Sequence, residues 1–452
     1  MKILIVGAGV VGFQLANELS KEGHDISIID LNPAKIKKIN EKLDVLSFLG
    51  NGCQPSVLKK AGIETSEMVI AASSVDEINI IICTLANKFN VKKKIARIRN
   101  LEYTGCEKIL NLKDLFVDTA INPDEIIIDF IGKIMETPGT MNVAEFAEGK
   151  IQLRGFDISK DAPIVGKKLS ELSGLYSLDS FLITGISRNG EMLIPKGEDQ
   201  VQIGDHLYVL VAEDLLPLIL PMLTKHVDAI QKVVIYGANT VGVNVAKILE
   251  EKFKSVTLIE PNTEKAEFAA SILNKTTVLF GEATDQDLLK DANIANADFF
   301  MALSDDDESN LLSSLLSKKQ GAKKVVIITD EPDYLPILDS IEMDIVINPR
   351  LLTVGAILQY IRRGRIQSVV KLRENETEVI EMTPDPKSPV VRKKLSQIKF
   401  PPGSIVGAII RNGEMIIPDG ESIIEVGESV IVFALPQAIP KIEKLFGKRK
   451  LF

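Results

Sequence analysis

Residues 1–30 read MKILIVGAGVVGFQLANELSKEGHDISIID. Ile3 to Val6 form an unbroken apolar run, as a strand covered on both faces requires, and Gly7-Ala8-Gly9-Val10-Val11-Gly12 follows at once. Phe13, Leu15, Ala16 and Leu19 then recur at helical spacing, and Ile26 to Ile29 make a second apolar strand that ends in Asp30. The order strand, glycine turn, helix, strand, acid gives the GxGxxG pattern the context of a nucleotide-binding unit. Gly7 permits the tight turn, Gly9 lets a pyrophosphate approach the backbone, and Gly12 lets the helix pack on the strand. The helix start offers free N–H groups, from Val10 and Val11 onward, and the positive end of its dipole to phosphates. Asp30 can accept hydrogen bonds from ribose hydroxyls and would repel a 2′-phosphate. The pattern therefore points to NAD, or another unphosphorylated adenosine ribose, rather than NADP.

Beyond Asp30 the alternation continues. Pro33 to Leu43 reads as a helix with Ile36 and Ile39 on one face, Val45 to Leu49 as a strand closed by Gly50-Asn51-Gly52, and Pro55 to Ala61 as a short helix. Met68 to Ala72 is the next strand, Ile78 to Phe89 a long helix, and Ile95 to Ile98 a further strand. Phe116 to Asp118 reads as a last short strand, and Asn122-Pro123 opens a helix running to Met135. Such alternation specifies a doubly wound parallel sheet, in which ligands sit outside the carboxyl ends of the strands. Gly50, Ser73, Ser74 and Arg97 fall near those ends and join the glycine turn as candidate lining. Arg97 and Arg99 alternate in facing, so one of them points at the nucleotide side and the other is free to pair with an acid. Asp76-Glu77 and Asp305 to Glu308 each precede a helix, where acids serve as caps or dipole partners, or as a polar rim to a ribose or cation.

The texture changes near Pro138-Gly139. From Val143 to Leu223 the segments are short and β-rich, with an Asn-Gly hairpin signal at Arg188-Asn189-Gly190-Glu191. A helix carrying Leu215, Leu216 and Ile219 closes this small α+β module. Then the chain begins again: Val233 to Gly242 repeats the opening, Glu260 stands where Asp30 stood, and Gly281 answers Gly50. Arg411 to Pro418 nearly copies Arg188 to Pro195, and Gly427-Glu428 answers Gly204-Asp205. A repeat of about 225–230 residues is a duplicated two-domain unit rather than a solenoid. The expected architecture is two doubly wound parallel-sheet Rossmann domains, at 1–137 and 227–365, each followed by a small α+β domain, at 138–226 and 366–452. In the second turn, Gly237-Ala238-Asn239-Thr240-Val241, Asn239 replaces the middle glycine and its side chain crowds the path to a pyrophosphate. With Glu260 this turn makes a second, altered set of candidate contacts.

Composition narrows the function. The 452 residues are 45% hydrophobic and 25% charged, with a net charge of −9, which argues against nucleic acid as a main partner. The basic clusters Lys92-Lys93-Lys94 and Lys448-Arg449-Lys450 read as solvated surface. No apolar run is long enough to span a bilayer, and the chain enters a strand with no signal peptide, so a cytoplasmic location is expected. Leu215 to Leu223 and Ile439 to Phe446 read as helices packed on their own modules or on a second subunit, rather than lying on a membrane surface. Cys53, Cys83 and Cys106 have no metal spacing and read as reduced thiols, while His24, His206 and His226 are scattered turn or surface residues. No constellation of catalytic groups emerges, so bound nucleotide is expected to act as a signal. The rival is an NAD-dependent oxidoreductase with its active site between Rossmann and small domains.

These pieces resemble a known family. Lys2 to Gly12, Asp30, Ser73-Ser74-Val75-Asp76-Glu77 with Asn79, Ile95 to Arg99, Phe146 to Lys150, Gly281 to Asp285 and Phe400-Pro401-Pro402-Gly403 are similar to the RCK (also called KTN) domains that regulate potassium channels and transporters. In those terms the two halves are tandem RCK N-terminal and C-terminal domains. The resemblance implies NAD contacts at Gly7 to Val11, Asp30, Ser73, Ser74 and Arg97, with counterparts at Gly237 to Val241 and Glu260, and ATP or ADP at equivalent sites. It also implies no enzymatic activity, and a regulatory subunit peripheral on the inner face of the cell membrane. Its partner would be a potassium-translocating membrane protein of the TrkH/TrkG type, and it would form a homo-oligomer, a dimer or a tetrameric ring.

Overall fold

The computed structural model describes residues 1–21, 23–104, 111–136, 140–176, 181–223, 230–341, 343–362, 366–372 and 377–447. Cys106, His226, Pro138-Gly139 and Lys448-Arg449-Lys450 lie outside the described residues.

In the first half the elements are β1 (Lys2–Val6), α1 (Val10–Lys21), β2 (Asp25–Asp30), α2 (Pro33–Lys42), β3 (Leu46–Leu49), α3 (Pro55–Lys60), β4 (Met68–Ala71), α4 (Asp76–Lys88), β5 (Lys93–Arg97), α5 (Leu101–Thr104), β6 (Thr119–Ile121) and α6 (Pro123–Glu136). The first small domain follows with β7 (Thr140–Phe146), β8 (Ile151–Asp157), α7 (Leu169–Tyr176), β9 (Phe181–Arg188), β10 (Glu191–Leu193), β11 (His206–Ala212) and α8 (Leu216–Leu223). The second half runs β12 (Lys232–Tyr236), α9 (Thr240–Lys252), β13 (Ser255–Glu260), α10 (Thr263–Ile272), β14 (Thr277–Phe280), α11 (Gln286–Asp291), β15 (Phe299–Ala302), α12 (Asp307–Lys319), β16 (Lys324–Ile328), α13 (Leu335–Ser340), β17 (Ile345–Ile347) and α14 (Pro349–Arg362). It ends in β18 (Ile366–Lys371), β19 (Glu378–Met382), β20 (Ser404–Arg411), β21 (Glu414–Ile416), β22 (Ser429–Ala434) and α15 (Ile439–Phe446).

The chain divides into two compact units, one of Met1–Gly132 with Ile230–Leu358, the other of Lys133–Ala229 with Gln359–Phe452. The first unit holds two parallel six-stranded sheets, ordered β3-β2-β1-β4-β5-β6 and β14-β13-β12-β15-β16-β17. Both are Rossmann sheets, with the strand order reversing beside β1 and beside β12. Ile3, Leu4, Ile5 and Val6 are all buried, because helices cover both faces of a parallel sheet. Fully burying side chains of this size stabilises by about 1.5–3 kcal/mol each before entropy is counted. Asn32 caps α2, its Oδ1 accepting from the Ala34 N–H at 2.8 Å, and Pro33 sits at the first helical position where its missing N–H costs nothing.

Two local expectations change here. The sixth strand is Thr119–Ile121, not Phe116 to Asp118. Phe116 sits in a turn at φ 54°, and Asp118 instead uses its carboxylate, Oδ2 accepting from the Lys94 N–H at 2.7 Å. Lys94 is not solvated surface either: it is buried, with Nζ 3.0 Å from that same carboxylate. Cys83 is buried and its thiol is pushed up to about 12, chiefly by desolvation, while the half-buried Cys53 thiol is also raised by burial.

The second unit holds two antiparallel five-stranded sheets of the same topology, β10-β9-β11-β8-β7 and β18-β19-β22-β20-β21. They share a core that includes Phe146, Leu153, Tyr208, Val379 and Phe433. α8 packs Leu216, Ile219, Met222 and Leu223 on the first sheet, and α15 packs Ile442 and Phe446 on the second. Both Asn-Gly hairpins form with positive φ at each turn residue, Asn189 52° and Gly190 80°, Asn412 54° and Gly413 81°. The repeated acids explain themselves. Arg188 donates Nε and Nη2 to the Asp205 carboxylate at 2.7 and 2.8 Å, and Arg411 pairs with Glu428 in the same place. His206 is no loose surface residue: it opens β11, its Nδ1 is 2.7 Å from Asp157, and its ring packs edge-on against Tyr208.

Candidate functional site

The first Rossmann domain carries a cleft of about 570 Å³ at the carboxyl ends of its strands, within the range of small-molecule sites. Gly7, Gly9, Val10, Val11, Asp30, Gly50, Ser73, Ser74 and Arg97 all line it. Ala8 and Gly12, from the same turn, do not line it.

The turn is built as its glycines require. Gly7 has φ 109°, and a Cβ there would lie 2.9 Å from the Ala72 carbonyl oxygen. A Cβ on Gly12 would lie 1.8 Å from the Gly7 oxygen, so α1 approaches β1 only because nothing is there. At Gly9 a Cβ would meet no atom within 4 Å, which leaves its backbone open to a ligand. Asp30 ties the turn down: Oδ2 accepts from the Ala8 N–H at 2.6 Å, and Oδ1 from the Asn32 N–H at 2.7 Å. It stays half-buried, and a carboxylate has lone pairs to spare for a hydroxyl donor. The ammonium of Lys35 stands 3.9 Å from it.

The opposite wall is held by Asn79, buried at the start of α4. Its Oδ1 accepts from the Ser73 N–H at 2.9 Å, and its Nδ2 donates to the carbonyls of Ser73 at 3.1 Å and Arg97 at 2.7 Å. The Ser73 hydroxyl donates to the Val75 carbonyl at 3.0 Å, while Ser74 sits exposed at the lip. Asp76 does not cap α4; its Oδ2 accepts from the Arg99 and Asn100 N–H groups at 2.9 and 2.8 Å, fixing the loop after β5. In the second half the capping expectation holds for Asp306, which accepts from the Ser309 N–H at 2.7 Å.

Arg97 donates Nη1 to the Ser73 carbonyl at 3.3 Å, and its Nε is buried without a partner among the described residues. Burial, then the neighbouring Arg99, push its guanidinium below its ordinary value. An orphaned buried donor of this kind and the open face of Gly9 are features that a phosphate fits.

The alternation expected of the two arginines fails because β5 ends at Arg97. Arg99 lies past the strand, lines the cleft too, and has its Nε 3.7 Å from Asp124. Sequence reasoning missed Lys35 and Asn51, both in the lining. It also missed Asp330, Arg350 and Thr353, which the second half contributes to this cleft from the loop after β16 and the start of α14. The lysine spacing after Asp30 could have suggested the first; no local signal marks the last three.

Gly237, Ala238, Asn239, Thr240, Val241 and Glu260 stand together at the turn of the second sheet, apart from the first cleft. Glu260 is buried, Oε2 accepting from the Ala238 N–H at 2.5 Å and Oε1 from the Asn262 N–H at 2.9 Å. Asn239 caps α9, Oδ1 accepting from the Gly242 N–H at 2.9 Å, and its Nδ2 donates at 2.8 Å to both the Leu303 carbonyl and the Asp305 carboxylate. Tyr236 donates its hydroxyl to Glu282 at 3.0 Å, and its pKa is pushed up to about 12 by burial and by that carboxylate.

Comparison with known proteins agrees with this architecture. The TrkA-N domain model matches residues 3–123 and 233–349, and the TrkA-C domain model residues 153–222 and 379–447. The Trk system potassium uptake protein TrkA of Azorhizobium caulinodans is 33% identical over 451 residues, 99% of this chain and 98% of its own. That of Vibrio alginolyticus is 32% identical over 458 residues, all of both chains. These relatives are named for potassium uptake and not for a reaction, in keeping with the expectation that the chain is no enzyme. A crystal structure of the GsuK RCK domain superposes with a TM-score of 0.61 at 18% identity, covering 98% of this chain and 94% of that one. The GsuK channel bound to NAD superposes at 0.62 with 17% identity, covering 98% and 78%. That likeness is one of fold. By both domain models and by end-to-end identity, the chain belongs to the family of Trk system potassium uptake proteins TrkA.

Proposed function

We propose that this chain is a nucleotide-sensing regulatory subunit of potassium uptake. On this reading it binds NAD(H), and ATP or ADP in the same seat, and gates a potassium-translocating membrane protein of the TrkH/TrkG type from its inner face. The observation that carries it is the first cleft, lined by open Gly9, the half-buried Asp30 carboxylate and Arg97, whose Nε is buried without a partner among the described residues. The relatives' name supplies the potassium, and the NAD-bound GsuK channel is a protein of the same fold with such a ligand.

Each group has a task set by its chemistry. The free amides at the start of α1 would take a pyrophosphate, aided by the helix dipole. Asp30 would accept from ribose hydroxyls, and Arg97 with Lys35 would hold phosphate charge. Among the described residues no helix is long and apolar enough to cross a membrane, and on this reading the potassium passes through the partner chain. Nucleotide shifts a gate only through its differential affinity for two arrangements of the Rossmann units. Moving a gate from mostly closed to mostly open takes about 5 kcal/mol, which several weakly discriminating sites of a homo-oligomer can share.

The test is NADH and ATP binding to Asp30→Ala alongside potassium uptake in cells. Lost binding together with lost nucleotide response supports the proposal; lost binding with uptake and response unchanged rejects it.

A further inference from the structure

We infer that the second Rossmann domain has filled its own nucleotide seat with its own side chains, so that each chain holds one dinucleotide site and not two. The inference rests on the reading of the first cleft as such a site. It comes from comparing the two clefts position by position. Where Gly9 leaves open space, Asn239 places its amide across the turn and takes the Gly242 N–H for itself at 2.9 Å. Gly9, at the corresponding position before α1, has no side chain with which to do this. A helix start that has already committed one of its donors has less to give a pyrophosphate.

Charge points the same way. Ser74, at the lip of the first cleft, is answered by Asp305, whose carboxylate is held 2.8 Å from the Asn239 amide. Lys35, which lines the first cleft beside Asp30, is answered by Lys265, whose ammonium stands 3.5 Å from Asp305. Arg97 is answered by Ile328, and Asn51 by Glu282. The second site has thus lost a guanidinium and gained two carboxylates, Asp305 and Glu282, which disfavours an anionic ligand. Glu260 engages both oxygens with backbone N–H groups just as Asp30 does, so this position does not separate the two sites. Asn239 and Asp305 are the residues that decide the exclusion.

The experiment is NADH titration of the full-length protein by calorimetry. The wild type is expected to bind one equivalent per chain, Gly9→Asn none, and the double variant Asn239→Gly/Asp305→Ser two. Asp30→Ala replaces Gly9→Asn as the first-cleft knockout if the latter fails to fold. Two equivalents in the wild type, or one remaining in the first-cleft knockout, overturn the inference, as does a double variant that stays at one. A wild type that binds none rejects the reading of the first cleft. In that case an equivalent gained by the double variant still supports the plug, and none gained overturns it.

Discussion

The guanidinium of Arg350 lies 3.6 Å from the carboxylate of Asp330, and the matching positions of the first half hold the same pair with charges exchanged, Arg99 3.7 Å from Asp124. Arg99, Asp330 and Arg350 all border the first cleft, and the Asp330 charge acts on Arg97. The second half therefore sets the potential of a site whose seat belongs to the first. Arg350→Ala leaves Asp330 uncompensated beside an anionic ligand, and NADH affinity is expected to fall on the order of tenfold, 1.4 kcal/mol. Removing Asp330 as well should restore most of it. Calorimetric titration of the single and double variants measures the coupling, and equal losses in both would show that Asp330 has no part in it.

The two glycines of the turn separate stability from binding. Gly12→Ala drives a methyl into the Gly7 carbonyl and is expected to cost about 1–3 kcal/mol of stability, as overpacking does. Gly9→Ala meets no protein atom, so denaturant unfolding should match the wild type while NADH affinity falls. A Gly9→Ala protein that binds normally would place the ligand elsewhere.

On the proposed reading, Asp30 discriminates between cofactors by charge. Asp30→Asn keeps an acceptor for the Ala8 N–H but removes the repulsion of a 2′-phosphate. The preference for NADH over NADPH should shrink by about tenfold, the scale of a single rim charge. Competition between the two cofactors reads this directly, and an unchanged ratio would assign the discrimination to another group.

Asn79 closes three hydrogen bonds while fully buried. Asn79→Ala leaves backbone groups of Ser73 and Arg97 unsatisfied and is expected to cost about 3 kcal/mol. Loosening the strand end that carries Arg97 should weaken nucleotide binding as well. Thermal melting with a binding curve checks both, and Asn310→Ala in the second half should lower stability without the binding loss.

Glu250 supplies an acid-sensitive element. Burial works against its charge, but N–H groups of Lys275, Asn274 and Thr276 and the Thr276 hydroxyl overcome this and hold its pKa below the ordinary 4.5. A carboxylate depressed on folding contributes stability above its ordinary value and loses it as pH falls through the folded one. Glu250→Gln should therefore be less stable at neutral pH and show a shallower stability loss below pH 4.5. Parallel denaturation curves of the two proteins test the sign.

Local pattern was enough wherever short-range chemistry decides the outcome. The strand–turn–helix–strand of residues 1–30, the duplication, and the Asn-Gly hairpins were all legible, because glycine turns and apolar periodicity act over a few residues. Asn239 announced itself as a departure from the turn, although its partners Leu303 and Asp305 did not. The sixth strand was misplaced by three residues because Phe116 is apolar yet sits at φ 54°, and apolarity alone cannot distinguish a strand from a turn packed on the core. Lys94 looked like one of three solvated lysines until its neighbour across the sheet proved to be Asp118.

Residue pattern alone specifies the doubled Rossmann and β-module architecture and a glycine turn with Asp30 at its rim. Which charges meet there depends on the folded chain. Asp330 and Arg350 reach the first cleft from more than two hundred positions away, while Lys265 and Asp305 close on each other in the second. Electrostatic contacts depend on separation in space, and chain folding sets that separation through many weak packing terms that no single stretch of sequence contains.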